Sequence, residues 1–160
     1  MKLSLATRTR KHVQIFWEQT QDPQIQKMFP SSVNSLSQAI KLFEESQQDK
    51  AKSFGQIILA DNIYIGDIWC YSIDEEDEHH AMLSIVIFDK TYWKRGVASS
   101  VIPLFIEDIF SRYKIDAIGA FTFASNLASR RSLQKSGFIE LESFIEDGQE
   151  SIYLEYKKEE

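Results

Sequence analysis

Apolar and polar positions along this chain switch repeatedly between a two-residue period and a helical one. Leu3 to Thr7 alternates as a short strand. Residues 9–29 follow helical spacing, with Val13, Phe16 and Trp17 on one face and a break at Asp22-Pro23. After the turn Pro30-Ser31-Ser32, residues 35–48 predict a second amphipathic helix through Leu36, Ala39, Ile40 and Phe43. Residues 54–60 and 63–73 predict strands joined by the turn-prone Asp61-Asn62. The run at 81–88 is apolar on both faces, which places it centrally in its sheet. A helix at 97–110, a strand at 116–123, a helix at 126–136 and strands at 138–145 and 151–157 complete the pattern. Pro103 falls inside the helix predicted at 97–110, so that helix either starts later or bends.

This order predicts a mixed α/β sheet with helices on both faces. With no internal repeat and no linker, residues 1–160 are expected to form a single domain. The hydrophobic fraction of 43% and charged fraction of 26% are ordinary for a globular protein. No apolar run is long enough to span a membrane, and the first residues lack the apolar core of a signal peptide. A lone cysteine, Cys70, excludes an intrachain disulfide and a cysteine-based metal cluster, so the expected setting is the cytoplasm and no metal site is expected. Cys70 reads as a small buried hydrophobe. The net charge of −6 argues against nucleic-acid binding and suits a cationic partner such as an amine. The acidic run at 74–78 reads as a solvated hairpin loop.

The chemistry concentrates at Tyr92-Trp93-Lys94-Arg95-Gly96-Val97-Ala98-Ser99, where a strand feeds a helix through a basic turn. A helix N-terminus presents backbone N–H groups without helical partners, which bind anions and pyrophosphates above all. The turn is not a nucleotide P-loop, since no Gly-Lys-Ser/Thr closes it, nor a dinucleotide fingerprint, which needs three glycines. Further on, Asn126 is a good N-cap, and Lys135-Ser136-Gly137-Phe138 closes the following helix. Gly137 is free to turn left-handed there, with Phe138 against Leu133.

Together, Tyr-Trp-Lys-Arg-Gly-Val-Ala and the later Asn-Leu-Ala-Ser…Leu-Gln-Lys-Ser-Gly-Phe resemble the GNAT superfamily of acetyl-CoA-dependent N-acetyltransferases. The match resembles most the branch of ribosomal-protein N-terminal acetyltransferases (RimJ/RimL-like). The superfamily's phosphate loop reads Gln/Arg-x-x-Gly-x-Gly/Ala; here Trp93 takes its first position, and Lys94 stands where the branch commonly has Gly. The resemblance implies a GNAT-type, mostly antiparallel sheet of the seven predicted strands, splayed between the fourth and fifth beyond Ile87.

Backbone N–H groups of Arg95, Gly96, Val97, Ala98 and Ser99 would then grip the pyrophosphate, the pantetheine arm would bond near Val86 and Ile87, and Asn126 would hold the cofactor further along. A neutral amine would attack the thioester directly, with a strand N–H near Val86 stabilising the oxyanion. The tyrosine that many members use as acid is replaced by Leu133; the branch implies Ser129 in that role. Met82 and Ser84 stand where a carboxylate base is common, leaving Glu142 or Glu146 as bases by the branch, with His79, His80 and Asp67 as further candidates. Trp69 and Tyr71 are candidates to line an acceptor cleft.

The acceptor implied is a protein or peptide N-terminus, with a polyamine or an aminoglycoside as alternatives. Superfamily members often pair through a sheet edge or last strand, so a homodimer is among the implied partners. Two rivals stay open: a non-catalytic acyl-CoA-binding module, suggested by the vacant acid and base, and an interaction protein that binds no cofactor.

Overall fold

A computed structural model describes residues 1–159; Glu160, the last residue of the predicted domain, lies outside the described residues. Seven strands form one open sheet in the order β1-β2-β3-β4-β5-β7-β6. They are β1 (Leu3–Thr7), β2 (Phe54–Ala60), β3 (Ile63–Asp74), β4 (His80–Ile87), β5 (Ala117–Phe123), β6 (Ile139–Glu146) and β7 (Gln149–Lys157). The helices are α1 (Arg10–Gln19), α2 (Pro23–Met28), α3 (Leu36–Ser46), α4 (Val97–Arg112) and α5 (Leu127–Lys135). All pairings are antiparallel except β4 with β5, the pair that α4 connects. The mixed sheet with helices on both faces is the expected architecture.

Local chemistry explains the punctuation. Asp22 caps α2 by accepting the Gln24 N–H at 2.8 Å, with Pro23 at the first helical position, where its missing N–H costs nothing. Asp61 and Asn62 both take left-handed backbone angles (φ 49° and 66°), the pattern of a two-residue hairpin between β2 and β3. Asp147 and Gly148 do the same between β6 and β7. The acidic loop is ordered by Asp74, whose carboxylate accepts the N–H groups of Glu76, Asp77 and Glu78. Pro103 does not delay α4, which begins at Val97 and runs through the proline to Arg112.

One face of the sheet packs against α4 and α5. Ile58, Ile65, Ile68, Leu83 and Ile118 meet Val101, Ile102, Phe105 and Ile109 in the main core. Each such fully buried side chain contributes about 1.5–3 kcal/mol relative to exposure. Cys70 is buried in that core, and burial pushes its thiol well above the usual value, so it is an inert packing group. The opposite face carries a smaller cluster, Val86 and Phe88 with Trp69 and Tyr64, under Ile15, Phe16 and Ile25 of α1 and α2.

The feature that positions the site is the parting of β4 from β5. They pair only at His80, Ala81 and Met82, against Ala117, Ile118 and Gly119. The opening therefore starts after Met82, not beyond Ile87 as the sequence suggested. The cause lies next door: β3 carries one extra residue between Tyr71 and Asp74, with Ser72 left-handed at φ 50°. Such a bulge bends the ladder and increases its local twist, turning β4 away from β5 where their pairing ends. On the far side, β5 stays paired with β7 along Ala117 to Phe123.

Arg130 braces the other side of the opening. Its guanidinium holds Glu140 through two bonds of 2.8 and 3.0 Å and donates to Ala124 O at 2.9 Å, joining α5, β6 and the end of β5. Arg130 thereby holds the Glu140 carboxyl below the usual carboxylate value. A carboxylate depressed in the folded state adds stability above its unfolded value and loses it as pH falls through the folded one. Taking the protein from about pH 5 to about pH 3 should therefore lower the wild-type Tm more than that of Glu140→Gln. Equal drops in the two melting curves would remove Glu140 from the acid response.

Candidate active site

At the mouth of the opening, β4 leads through a 3-10 turn at Lys90–Tyr92 into α4. Asp89 caps that turn by accepting the Thr91 N–H at 3.1 Å. Lys94 and Gly96 then take left-handed angles (φ 62° and 77°), winding the chain into a concave turn that α4 continues. The N–H groups of residues 94–99 find no acceptor among the described residues; the first helical bond is Ser100 N to Gly96 O at 3.2 Å. A run of unbonded N–H groups at the positive end of a helix is suited to an anion. Arg95, Gly96, Val97, Ala98 and Ser99 are thus brought together as the sequence suggested. The Arg95 guanidinium lies over the Tyr92 ring, 5.1 Å from its centre. The left-handed angle at Lys94 also explains why a glycine suits that position.

Trp93 acts in a way the motif did not foretell. Its indole N–H donates to Ile87 O at 2.7 Å, tying the loop to the free edge of β4. Ile87 keeps only its N–H for a ligand. Phe88 donates its N–H to Ile65 O across β3, and the two-residue alternation of the ladder turns Val86 the same way. The backbone groups of Val86 are therefore directed at β3, and those that face the gap belong to Ile85 and Ile87. Of the expected pair, Ile87 thus keeps a backbone group at the gap and Val86 does not.

Across the gap, Asn126 caps α5 by accepting the Ser129 N–H at 3.1 Å. That bond occupies the amide oxygen and leaves the amide N–H₂ group for a ligand. The Ser129 hydroxyl, half-buried in the first turn, has no partner among the described residues. The helix ends as the sequence indicated: Gly137 is left-handed at φ 99°, Phe138 N bonds Leu133 O at 3.0 Å, and both side chains enter the main core.

The candidate bases separate clearly. Asp67 is fully buried, bonded to Arg8 Nη1 at 3.2 Å and to the Tyr64 hydroxyl. Burial pushes its carboxyl up while Arg8 and Tyr64 pull against that. His79 is tied to Lys114 O through Nδ1 at 3.0 Å. Glu146 lies at the tip of the β6–β7 hairpin, opposite Gln149. Glu142 is exposed on β6, opposite Tyr153, three strands away from the gap edge of β4. His80 is partly buried and bonded to the Tyr153 hydroxyl at 2.9 Å. Trp69 packs under Phe16, with ring centres 5.9 Å apart, and so belongs to the cluster beneath α1. Among the described residues no group of three or more His, Cys, Asp or Glu is placed to hold a metal ion, and no helix is long and apolar enough to cross a membrane.

A sheet opened between two parallel strands, with the unbonded N–H groups of a helix N-terminus at its mouth, has the build of an acyltransferase. A family model described as the acetyltransferase (GNAT) domain matches residues 2–139, and the chain belongs to that family of enzymes. No curated protein matches the sequence. Among solved structures, the chain resembles the spermidine N-acetyltransferase from Vibrio cholerae in complex with CoA and spermine, at TM-score 0.85 and 16% identity over 98% of this chain and 95% of that one. It also resembles the aminoglycoside acetyltransferase AAC(6')-Ib in complex with coenzyme A, at TM-score 0.80 and 14% identity over 98% and 95% of the two chains. RimL, a ribosomal alpha-N-protein acetyltransferase solved in complex with coenzyme A, matches at TM-score 0.81 and 14% identity over 99% and 95%. These likenesses establish the fold and leave the acceptor open.

Proposed function

We propose that the protein transfers an acetyl group from acetyl-CoA to a primary amine, with a protein or peptide N-terminus as acceptor. The observation that carries this reading is the run of unbonded N–H groups at residues 94–99, opening onto a slot between two strands. A pyrophosphate matches that turn in charge and in donor geometry. The slot beside Ile85 and Ile87 suits an extended amide-bearing arm, because those residues offer ladder groups that β5 does not take up.

The chain's residues would then act as follows. The N–H groups of Arg95 to Ser99 anchor the donor, and the Asn126 amide holds its arm from the α5 side. The acceptor nitrogen forms a bond to the thioester carbonyl carbon, and a gap-facing N–H of β4 stabilises the oxyanion. As the carbon–sulfur bond breaks, the Ser129 hydroxyl donates a proton to the departing thiolate. Holding amine and thioester together supplies much of the acceleration.

The reading is tested by titrating acetyl-CoA calorimetrically, then measuring thiol release with a free-amino-terminus peptide, spermidine and kanamycin. Heat and release with the peptide above the others are the expected results. Heat without release from any amine would instead support a non-catalytic acyl-CoA-binding module, and the absence of heat would sink both. For the acid, Ser129→Ala should lower kcat by about 10²-fold while acetyl-CoA affinity stays within about twofold. Unchanged kcat would return Ser129 to the role of a first-turn helix residue.

A further inference from the structure

On the face of the sheet away from α4, at the point where β4 and β5 part, three polar side chains from two strands converge. Gly119 is the last β5 residue paired with β4, and the Tyr153 ring lies on it; a Cβ at Gly119 would come within 2.5 Å of the Tyr153 oxygen. The missing side chain lets Tyr153 reach from β7 across β5 to β4. There its oxygen meets His80 Nε2 at 2.9 Å, and its hydroxyl donates to Glu155 Oε2 at 2.7 Å. His80 Nε2 is itself 3.6 Å from that carboxylate oxygen.

This arrangement fixes the histidine. Burial, together with the bond to Glu155, pushes the Tyr153 phenol well above its usual value, so it keeps its hydrogen. A phenol has one hydrogen, and here the carboxylate takes it. The Tyr153 oxygen then accepts, so Nε2 carries the imidazole's hydrogen and Nδ1 is left with a bare lone pair. Nδ1 has no partner among the described residues. The His80 side chain retains 24% of its exposure, enough to pass a proton on to water.

The location selects the role. α4 and the main core fill one face of the sheet beside the gap, so an amine can reach a thioester in the gap only from the other face. His80 lies on that face with Met82, Ser84 and Val86, at the end of β4 away from the Val86 cluster that α1 and α2 cover, and about two residues, or ~7 Å, from the start of the gap.

We propose that His80 is the general base of the reaction and that Tyr153 and Glu155 are its positioning residues. This rests on the acetyl-transfer reading. His80 Nδ1 takes a proton from the acceptor's ammonium, leaving the lone pair that attacks the thioester carbon, and delivers that proton to solvent. A second proton lost from nitrogen on amide formation balances the one gained by the departing thiolate. The charged and titratable groups around His80 are Tyr153, Glu155 and Lys157 on β7, the last opposite His80's β5 partner Ala117, Glu142 opposite Tyr153 on β6, and, on β3, Tyr71 opposite Met82 and Asp74, the partner of His80, whose carboxylate is bonded to the acidic loop.

The test measures thiol release from acetyl-CoA with the same peptide, spermidine and kanamycin, from about pH 6.5 to about pH 9. His80→Gln should lower kcat/KM by roughly 10²-fold near neutrality with acetyl-CoA affinity unchanged. The deficit should shrink as pH rises, because the free amine then needs no base. Tyr153→Phe keeps the ring on Phe121, 5.3 Å away, and removes only the hydroxyl; it should cost about tenfold and shift the acid limb of the profile. A His80→Gln protein within threefold of wild type across the range, or one whose deficit is the same at every pH, overturns the proposal while acetyl transfer stands. A wild-type protein that binds acetyl-CoA and releases no thiol with any of the three amines overturns acetyl transfer, and the base with it.

Discussion

Gly96→Glu should weaken acetyl-CoA binding by about 10²-fold to 10³-fold, with little change in folding. Two effects add. Gly96 is left-handed at φ 77°, a conformation that costs an L-residue about 1–2 kcal/mol, and the unbound turn sheds that strain by relaxing out of the geometry that meets the pyrophosphate, so the cost falls on binding. The new carboxylate also stands against the pyrophosphate; like charges some 4 Å apart repel by about 4 kcal/mol at a surface dielectric, and rotation of the side chain away relieves part of it. A net 3–4 kcal/mol corresponds to the stated loss. Within the protein there is room, since a Cβ at Gly96 meets only Ser99 Oγ at 3.9 Å, so the fold survives. Gly96→Ala separates the effects, because it carries the strain alone and should lose about tenfold. Calorimetric titration of the three proteins checks the ordering, and equal affinity of Gly96→Glu and wild type would move the pyrophosphate elsewhere.

Asp67→Asn should have the largest effect on stability. The carboxylate is fully buried and is the partner of Arg8, whose side chain is only 18% exposed. Removing the countercharge leaves the guanidinium desolvated, and breaking such a pair costs about 3–5 kcal/mol. For a chain of this size that is a fall in Tm of roughly 6–20 °C. Arg8 cannot easily move away, because it already packs beside Gly55, where a Cβ would lie 2.8 Å from its Nη2. The double change Arg8→Met with Asp67→Leu removes both charges and should recover most of the loss. Melting curves decide: a Tm within about 2 °C of wild type for Asp67→Asn would show the pair contributes nothing.

The fold was legible where periodicity and punctuation agree. Asp22-Pro23, Asp61-Asn62 and Gly137 each specify one local geometry, and the boundaries they set match the structure to within a residue or two. The turn at residues 94–99 was legible for the same reason: a glycine and a helix start are local signals. The start of the gap was not, because the bulge at Ser72 that sets it lies in a run that alternates like any strand. The phase of β4 was also hidden. Which of Ile85, Val86 and Ile87 turns its amide to the gap depends on register with β3, and all three residues are equally apolar. Tyr153 drew no notice because its meaning depends on Gly119, more than thirty positions earlier and side by side with it only after β5 and β7 pair.

The bond from Trp93 to Ile87 has an optical consequence. An indole whose N–H is tied to the edge of the gap changes its emission when that edge acquires a ligand or loses its water. The protein thus carries its own fluorophore at the entrance to the site, and occupancy there can be followed by tryptophan emission without any label. Trp69 packs against the same small cluster as Trp93, so a Trp93→Phe chain provides the blank that separates the two emissions.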